Sequence, residues 1–244
     1  MKATGDSIKN LLGCSKSKMN LARIILLDAV VFMLVTIVEV SASGATSYPV
    51  ARQYQCFRDG GYLWPPDGSA IPNRACQAAF RANNGSTYPF ERWDDISATV
   101  IDPSNTGSLE RTVPDGLLCA GGDERKRGLD LPANAGWHTT LIKSKEGSFT
   151  LRWEITALDV PSTLSIFISK PSYDRSQPLH WEDLQQVHYG VTPNPVSLGG
   201  YGSYDVRIAL PNDYQSDAVI YSYLQQTDTP WKAFFSCSDV RILR

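Results

Sequence analysis

Residues 43–56 read Ser43-Gly44-Ala45-Thr46-Ser47-Tyr48-Pro49-Val50-Ala51-Arg52-Gln53-Tyr54-Gln55-Cys56, and the rest of the chain is interpreted outward from this stretch. An apolar run, Ile24–Val38, lies ahead of this stretch, and basic residues lie ahead of the run. The small residues of Val40-Ser41-Ala42 occupy the positions that a signal peptidase reads. We therefore predict that residues 1–42 are a cleaved signal peptide, that the protein is secreted, and that Ser43 begins the mature domain, residues 43–244.

Two features of the leader leave alternatives open. Asp28 interrupts the apolar run, and a start at Met1 makes the basic region long, whereas a start at Met19 gives a more ordinary signal peptide. The alternative interpretation is a membrane anchor. A bilayer core requires about 20 apolar residues, and this run is shorter and ends at Glu39. We expect no membrane association once the signal is removed.

Composition places the chain among ordinary globular proteins. It has 244 residues, of which 42% are hydrophobic and 20% are charged, enough to bury a full core. Residues 43–244 carry 18 Lys/Arg and 22 Asp/Glu, which gives a net charge of −4. Nucleic-acid binding requires clustered positive charge, so we expect no nucleic-acid partner. The densest charge run, residues 123–127, is interpreted as a solvated loop.

Strand patterns dominate the second half of the chain. Short segments rich in β-branched and aromatic residues, separated by Pro, Gly, Asn and Asp, predict strands near residues 148–157, 163–169, 203–210, 217–226 and 233–243. One short helix is predicted over Arg74–Arg81, and the first half otherwise consists of loops with short helices. This pattern indicates an all-β protein, a β-sandwich of immunoglobulin or fibronectin type III form with long decorated loops.

The opening stretch resembles the mature N-terminus of the chitin-binding type 4 proteins, the auxiliary-activity family 10 lytic polysaccharide monooxygenases with their spindolin and fusolin relatives. That family opens with His-Gly, four residues, Pro, two residues, Arg, three residues and Cys. Gly44, Pro49, Arg52 and Cys56 match this spacing, and Ser43 stands where the histidine is expected. In the family, copper is held by the amine and imidazole of that histidine and by the imidazole of a second one.

The second histidine of the family follows a Thr-Ala-x pattern at the end of a strand. Residues 149–159 resemble this segment, and Asp159 occupies the second position. Imidazole nitrogen suits copper, whereas a serine hydroxyl is a poor copper ligand and a carboxylate favours harder ions. We therefore expect no copper cofactor, although the Ser43 amine, Asp159 and water could hold a divalent ion weakly.

The resemblance continues to the end of the chain and implies further residue roles. Phe234 matches the aromatic residue on the axial side of the copper. The four cysteines of the mature part, an even number typical of secreted proteins, would pair by analogy as Cys56–Cys76 and Cys119–Cys237. The other matching segments are residues 113–119, 128–131, 168–174, 228–230 and 233–240.

Aromatic residues in the first half are candidates for glycan contact, because exposed rings stack on sugar faces. We select Tyr48, Tyr88 and Trp93, although most such rings are simply buried in loops. The sequon at Asn84 matters only in a eukaryotic host. His138, His180 and His188 are interpreted as ordinary polar residues. The adjacent acids Asp94-Asp95 and Glu182-Asp183 are interpreted as turn caps rather than as a glycosidase pair.

Three functions remain open at this point. The first is a secreted, monomeric protein that binds chitin or another insoluble polysaccharide without oxidising it. The second is a copper-dependent monooxygenase with a rebuilt metal site. The first histidine in the sequence is His138, so removal of a signal peptide cannot leave an N-terminal histidine. The third is an extracellular protein that binds a host glycan. We predict the first of these, in which the oxidative activity of the family is absent, and we keep the second as the alternative in which the chain is an enzyme.

Overall fold

A computed structural model describes residues 43–60, 67–102, 106–156, 161–198, 201–211, 214, 216–228 and 231–243. The predicted signal peptide, Asp159 and part of the loop that follows Gly60 lie outside the described residues. Within these ranges, no helix is both long enough and apolar enough to cross a lipid bilayer.

The described strands form two sheets. The strands are β1 (Gly44–Tyr48), β2 (Ser97–Thr99), β3 (Thr139–Lys143), β4 (Ser148–Ile155), β5 (Ser162–Ser169), β6 (Leu184–Val191), β7 (Val196–Leu198), β8 (Tyr201–Ala209), β9 (Asp217–Gln226) and β10 (Lys232–Leu243). One sheet has four strands in the order β1-β4-β8-β7. The other has six, with five in the order β2-β10-β9-β5-β6 and β3 paired in parallel with the second half of β10.

Short helices precede or interrupt these strands. They are α1 (Arg52–Arg58), α2 (Arg74–Ala82), α3 (Tyr88–Glu91) and α4 (Thr106–Thr112), together with 3₁₀ helices at Glu124–Asp130, Ala133–Ala135 and Trp181–Asp183. Asn73 caps the N-terminus of helix α2, since its side chain accepts hydrogen bonds from the backbone N–H groups of Ala75 at 2.9 Å and Cys76 at 3.1 Å. The predicted helix over Arg74–Arg81 is confirmed.

The six-stranded sheet has a hydrophobic core on each of its faces. Between the two sheets, strand β4 buries alternate residues, Leu151, Trp153 and Ile155, because side chains of a strand point alternately to opposite faces. On the other face, Tyr221 and Phe235 pack against the helices and loops. The predicted β-sandwich with decorated loops is confirmed, and the loops form a third layer.

One disulfide cross-links two helices within this third layer, and the other links the layer to the sandwich. Cys56–Cys76 joins α1 to α2, and Cys119–Cys237 joins the loop ahead of the first 3₁₀ helix to β10. Both pairings expected from the family resemblance are present. The second closes 118 residues of chain, and cross-links of this kind typically stabilise a fold by about 2–4 kcal/mol.

The opening stretch ties the layers together through side chains that reach β10. The backbone N–H of Thr46 donates to Ser236 Oγ at 3.1 Å, and Ser238 Oγ donates to the carbonyl of Pro49 at 2.8 Å, next to a cis Tyr48–Pro49 bond. Arg52 is 5% exposed and forms a two-pronged ion pair with Asp239. Residues of the opening stretch, in β1, in α1 and between them, therefore hold this part of the chain against the last strand, β10.

Asp130 makes the stability of this layer depend on pH. Its carboxylate accepts from the backbone N–H groups of Cys119 at 2.7 Å and Ala120 at 2.9 Å, and burial raises its pKa to about 7. In the unfolded chain the pKa is about 3.9, so between roughly pH 4 and pH 7 the folded protein binds more protons at this site than the unfolded protein. The contribution of Asp130 to stability therefore falls as the pH rises across this window.

We expect the difference in unfolding free energy between the wild-type protein and Asp130→Asn to shift against the wild type as the pH rises from 4 to 7. The shift should not exceed about 1.4 kcal/mol per pH unit, the limit for one proton. Urea denaturation of both proteins across pH 4–8 measures it. A difference that moves in the opposite direction would show that the buried carboxyl is ionised throughout.

Candidate functional site

Ser43 lies at the junction of three segments. It directly precedes β1, and its carbonyl accepts from the backbone N–H of Thr156, just after β4, at 2.9 Å. Its hydroxyl donates to Asp94 Oδ2 at 3.1 Å and contacts Thr156 Oγ1. The backbone N–H of Gly44 donates to the carbonyl of Asp94 at 2.8 Å. Ser43 is thus held half-buried between the end of β4 and the loop ahead of β2.

Gly44 is required by the close approach of β1 to β4. A Cβ atom at this position would lie 1.9 Å from the carbonyl oxygen of Glu154 and 2.8 Å from Nε1 of Trp153. No side chain fits in that space without moving the backbone of β1 away from β4. The glycine that follows Ser43 therefore fixes where the Ser43 hydroxyl and backbone can lie.

An aromatic cluster lies beside this junction, on residues 88–95 and α1. The ring of Trp93 packs against Tyr54, with 4.3 Å between centroids, and Tyr54 donates through its hydroxyl to Glu154 Oε2 at 2.9 Å. Burial, together with this bond to Glu154, raises the pKa of Tyr54 to about 12. Trp93 adjoins Asp94 in the chain, so one loop carries both the ring and the partner of Ser43.

Tyr88 and Tyr48, the other two predicted contact residues, occupy different places. Tyr88 in α3 is 45% exposed, and the ammonium of Lys126 lies 5.6 Å from its ring centroid. Lys126 also donates to the carbonyl of Asp95 at 3.1 Å, which links Tyr88 to the Ser43 side of the loop. Ser43 and Tyr48 lie at opposite ends of β1, a five-residue strand that is about 13 Å long from Gly44 to Tyr48. The structure therefore does not place Tyr48 with the other two.

Phe234 is fully buried in the core between the sheets. Its strand pairs with Ser97 of β2 on one side and Leu224 of β9 on the other. The ammonium of Lys232 lies 5.1 Å from its ring centroid and is bound to Asp95 Oδ1 at 3.0 Å. Its role beside a metal, which the family resemblance implies, stays a prediction.

The atoms described around Ser43 that could bind a metal through side chains or carbonyl groups are oxygens. They are hydroxyl, carbonyl and carboxylate oxygens, which suit hard ions rather than copper. His138 is exposed ahead of β3, His180 is the residue just before a 3₁₀ helix, and His188 lies in β6, where burial lowers its pKa. In the part of the chain that the structure describes, no three His, Cys, Asp or Glu side chains are grouped as metal ligands would be.

The paired acids act in structural contacts. Asp94 binds Ser43 and Arg92, whose Nε lies 3.5 Å from Asp94 Oδ1. Asp183 accepts from the backbone N–H of His180 at 2.9 Å and so caps a 3₁₀ helix. The contact between Asp94 and Ser43 was not predicted from sequence, because it joins residues 51 positions apart and neither residue type signals it.

The fold and the sequence together define the class of protein. Residues 44–240 match the family described as lytic polysaccharide mono-oxygenase, cellulose-degrading, and the chain belongs to this family. It is 30% identical over 200 residues to the chitin-binding protein CbpD of Pseudomonas aeruginosa. That match covers 82% of this chain and 47% of CbpD, so the chain spans about half the length of this relative.

Viral relatives are also similar. A spindolin of Heliothis armigera entomopoxvirus is 26% identical, with 86% of this chain and 69% of the spindolin covered. The structure of Anomala cuprea entomopoxvirus fusolin spindles superimposes with a TM-score of 0.71 at 25% identity, covering 82% of this chain and 89% of the fusolin chain. The suspected family resemblance is thus confirmed.

Proposed function

We propose that this chain is a secreted protein that binds chitin or a related insoluble polysaccharide and does not oxidise it. Membership of the lytic polysaccharide mono-oxygenase family and similarity to a protein named for chitin binding support the polysaccharide as partner. The proposal that the protein does not oxidise its polysaccharide rests on Ser43. Its hydroxyl is bound to Asp94 and Thr156 at the position where the resemblance places a copper-binding histidine.

The loss of oxidation follows from the available donors. After cleavage between Ala42 and Ser43, the Ser43 amine would be the nitrogen donor at this position, and Asp159 would supply a carboxylate. Copper that cycles between oxidation states and activates dioxygen requires a nitrogen-rich site, which these groups do not provide. Two hydrophobic cores and two disulfides hold the sandwich together.

The polysaccharide surface that we propose is formed by residues 88–95 and includes Tyr88 and Trp93. Tyr88 is the more exposed ring, and Trp93 is positioned by Tyr54 at the same loop. Rings of this kind stack on the faces of sugars. Asp94 and Asp95 add carboxylate groups to the loop, and their side chains are engaged by Ser43 and Lys232.

Changing Tyr88 to alanine should weaken retention on chitin by about three- to ten-fold, since an aromatic contact is worth roughly 0.5–1.5 kcal/mol beyond its area. The matched control is Tyr201→Ala. Tyr201 is 65% exposed on the four-stranded sheet, in a different layer from α3, and its loss should leave retention unchanged. Depletion isotherms on chitin measure both. Equal effects of the two substitutions would contradict the assignment of the surface.

Sedimentation of the secreted protein with chitin and with cellulose tests the function itself. We expect retention on chitin or cellulose, resistant to washing, and the absence of retention on both would overturn the proposal. A glycan array run in parallel covers the third possibility, a host-glycan binder, which predicts array binding without retention on either polysaccharide.

The family description keeps one competing function in view, a copper-dependent monooxygenase that cleaves chitin or cellulose. It predicts oxidised oligosaccharides when the protein is incubated with polysaccharide, copper and a reductant. Their release, above a control that lacks the protein, would favour this function over ours. We expect none.

A further inference from the structure

A groove of about 690 Å³ lies at the end of β1 opposite Ser43, and it is not part of the proposed polysaccharide surface. It opens on the outer face of the four-stranded sheet. Its wall is the turn Lys145–Ser148, which carries the chain from β3 of one sheet to β4 of the other. Glu146 and Gly147 at the centre of this turn have φ angles of 53° and 68°, the left-handed values of a tight two-residue hairpin.

Four cationic side chains line this groove, namely Lys143, Lys145, Arg152 and Arg207, and the one carboxylate among the lining residues is Glu146. Residues 43–244 carry a net charge of −4, so positive charge is concentrated here against the balance of the domain. Cations that line a concave surface reinforce one another and raise the local concentration of anions. The groove is therefore suited to a negatively charged ligand.

Two of the four cations are free to meet such a ligand. Arg152 is bound to Asp205 through two contacts of 2.7 Å. Arg207 is loosely paired, with Nη2 3.6 Å from Glu146 Oε2. Lys143 and Lys145 are exposed and contact no carboxylate among the described residues. The two lysines thus hold the positive charge that the protein itself does not neutralise.

An aromatic ring completes the lining. Tyr48 is 41% exposed and lines the groove. Its strand position is opposite Arg152, which places it on the same sheet as the cations. A ring beside positive charge matches a sugar that carries acidic groups, because the ring can stack on the pyranose face while the lysines meet the acidic substituents.

We propose that this groove binds an anionic oligosaccharide, a sugar chain bearing sulfate or carboxylate groups, at a site separate from the surface of residues 88–95. The volume lies within the range of ordinary small-ligand sites. Lys143 and Lys145 supply the charge that attracts the acidic groups, and Tyr48 selects for a sugar. The protein would then hold an uncharged insoluble polysaccharide at one end of β1 and an acidic glycan at the other.

The test is titration of the whole secreted protein with a heparin hexasaccharide and with a hexamer of galacturonic acid, which separate sulfate from carboxylate. Chitohexaose is the uncharged probe, and linear hexaphosphate is a polyanion that has no ring on which Tyr48 could stack. We expect at least one acidic oligosaccharide to bind, with an affinity that falls as salt rises. Failure of both acidic oligosaccharides to bind would overturn the proposal.

Variants locate the binding. Lys143→Gln with Lys145→Gln should weaken it about ten-fold, as expected when two exposed charge contacts are lost. Arg125→Gln with Arg127→Gln removes the same charge from side chains that are 88% and 63% exposed elsewhere, and should change the affinity by less than about two-fold. Equal losses in the two double variants would show nonspecific attraction and reject the groove.

Tyr48→Ala decides whether a sugar is recognised. It should weaken binding of the acidic oligosaccharide and leave the affinity for hexaphosphate unchanged, whereas equal loss for both would mean a general polyanion site and reject the sugar assignment. Retention on chitin should be the same in all these variants. A loss of acidic-glycan binding with chitin retention unchanged therefore concerns the groove alone, whereas absence of chitin retention in the wild type concerns the proposed function.

Discussion

Replacing Arg52 by methionine should lower the free energy of unfolding by about 3–5 kcal/mol, the range found when one partner of a buried ion pair is removed. Arg52 Nε and Nη2 bind the two oxygens of Asp239 at 2.7 and 3.0 Å, and Nη1 donates to the carbonyls of Leu129 and Leu131. Asp239 is 1% exposed, so the substitution leaves its carboxylate buried without a counter-charge. The guanidinium also stacks on Trp137 at 4.7 Å.

Chemical denaturation with the disulfides intact measures this loss. Arg152→Met is the matched control, because its ion pair with Asp205 is exposed and should be worth no more than about 1 kcal/mol. Adding Asp239→Leu to Arg52→Met should recover part of the lost stability, since it removes the unpaired charge. A loss at Arg52 no larger than that at Arg152 would show that the pair does not hold α1 to β10.

Changing Ser43 and Asp159 together to histidine should raise the affinity for Cu²⁺ by more than about 100-fold. Removing a residue that only hydrogen-bonds to a metal ligand typically lowers metal affinity by about 10- to 100-fold. Supplying two ligands should have a larger effect than that. Ser43 is already fixed between β4 and residues 92–95 by backbone contacts that do not involve its side chain, so the added imidazole would start from an ordered backbone. Calorimetry on protein that begins at residue 43 measures the gain.

The controls for this prediction are the single variants Ser43→His and Asp159→His. Each supplies one imidazole where the double variant supplies two, and most of the gain should disappear. If the double variant with the correct terminus binds copper no better than the wild type, then Ser43 and Asp159 do not occupy the positions that the family uses for copper.

The strands of the sandwich core could be predicted because they carry their pattern locally. Strands β4, β5, β8, β9 and β10 begin and end within two residues of the predicted limits. Each is rich in β-branched and aromatic residues and is flanked by turn-forming residues, so period-two alternation identifies it without knowledge of its partners.

Strands β1 and β3 could not be predicted in this way. The sequence of β1, Gly44-Ala45-Thr46-Ser47-Tyr48, is made mostly of small residues with little strand preference, and it is a strand because a glycine can approach β4 so closely. In β3, Ile142 is the one fully buried residue, and its pairing with β10 is parallel and distant in sequence. Tertiary contacts, which a single sequence does not display, decide both.

The sequence could predict which segment forms the candidate site, but it could not predict the contacts that its residues make. The spacing of Gly44, Pro49, Arg52 and Cys56 identified the stretch through the family resemblance, and the structure explains the glycine, the arginine and the cysteine by contacts. The bonds from Ser43 to Asp94 and Thr156 join segments that lie far apart in the chain. The basic groove was missed for the same reason, since Lys143, Tyr48 and Arg207 come from three different strands.

The central claim, a polysaccharide-binding protein of this family that lacks copper chemistry, is tested most directly by titrating Cu²⁺ into the wild-type secreted protein after mass spectrometry has established its N-terminal residue. We predict that the chain begins at Ser43 and that any copper binding is weaker than micromolar and lacks the spectrum of a square, nitrogen-rich cupric centre. Binding at micromolar affinity or tighter with that spectrum would contradict the claim.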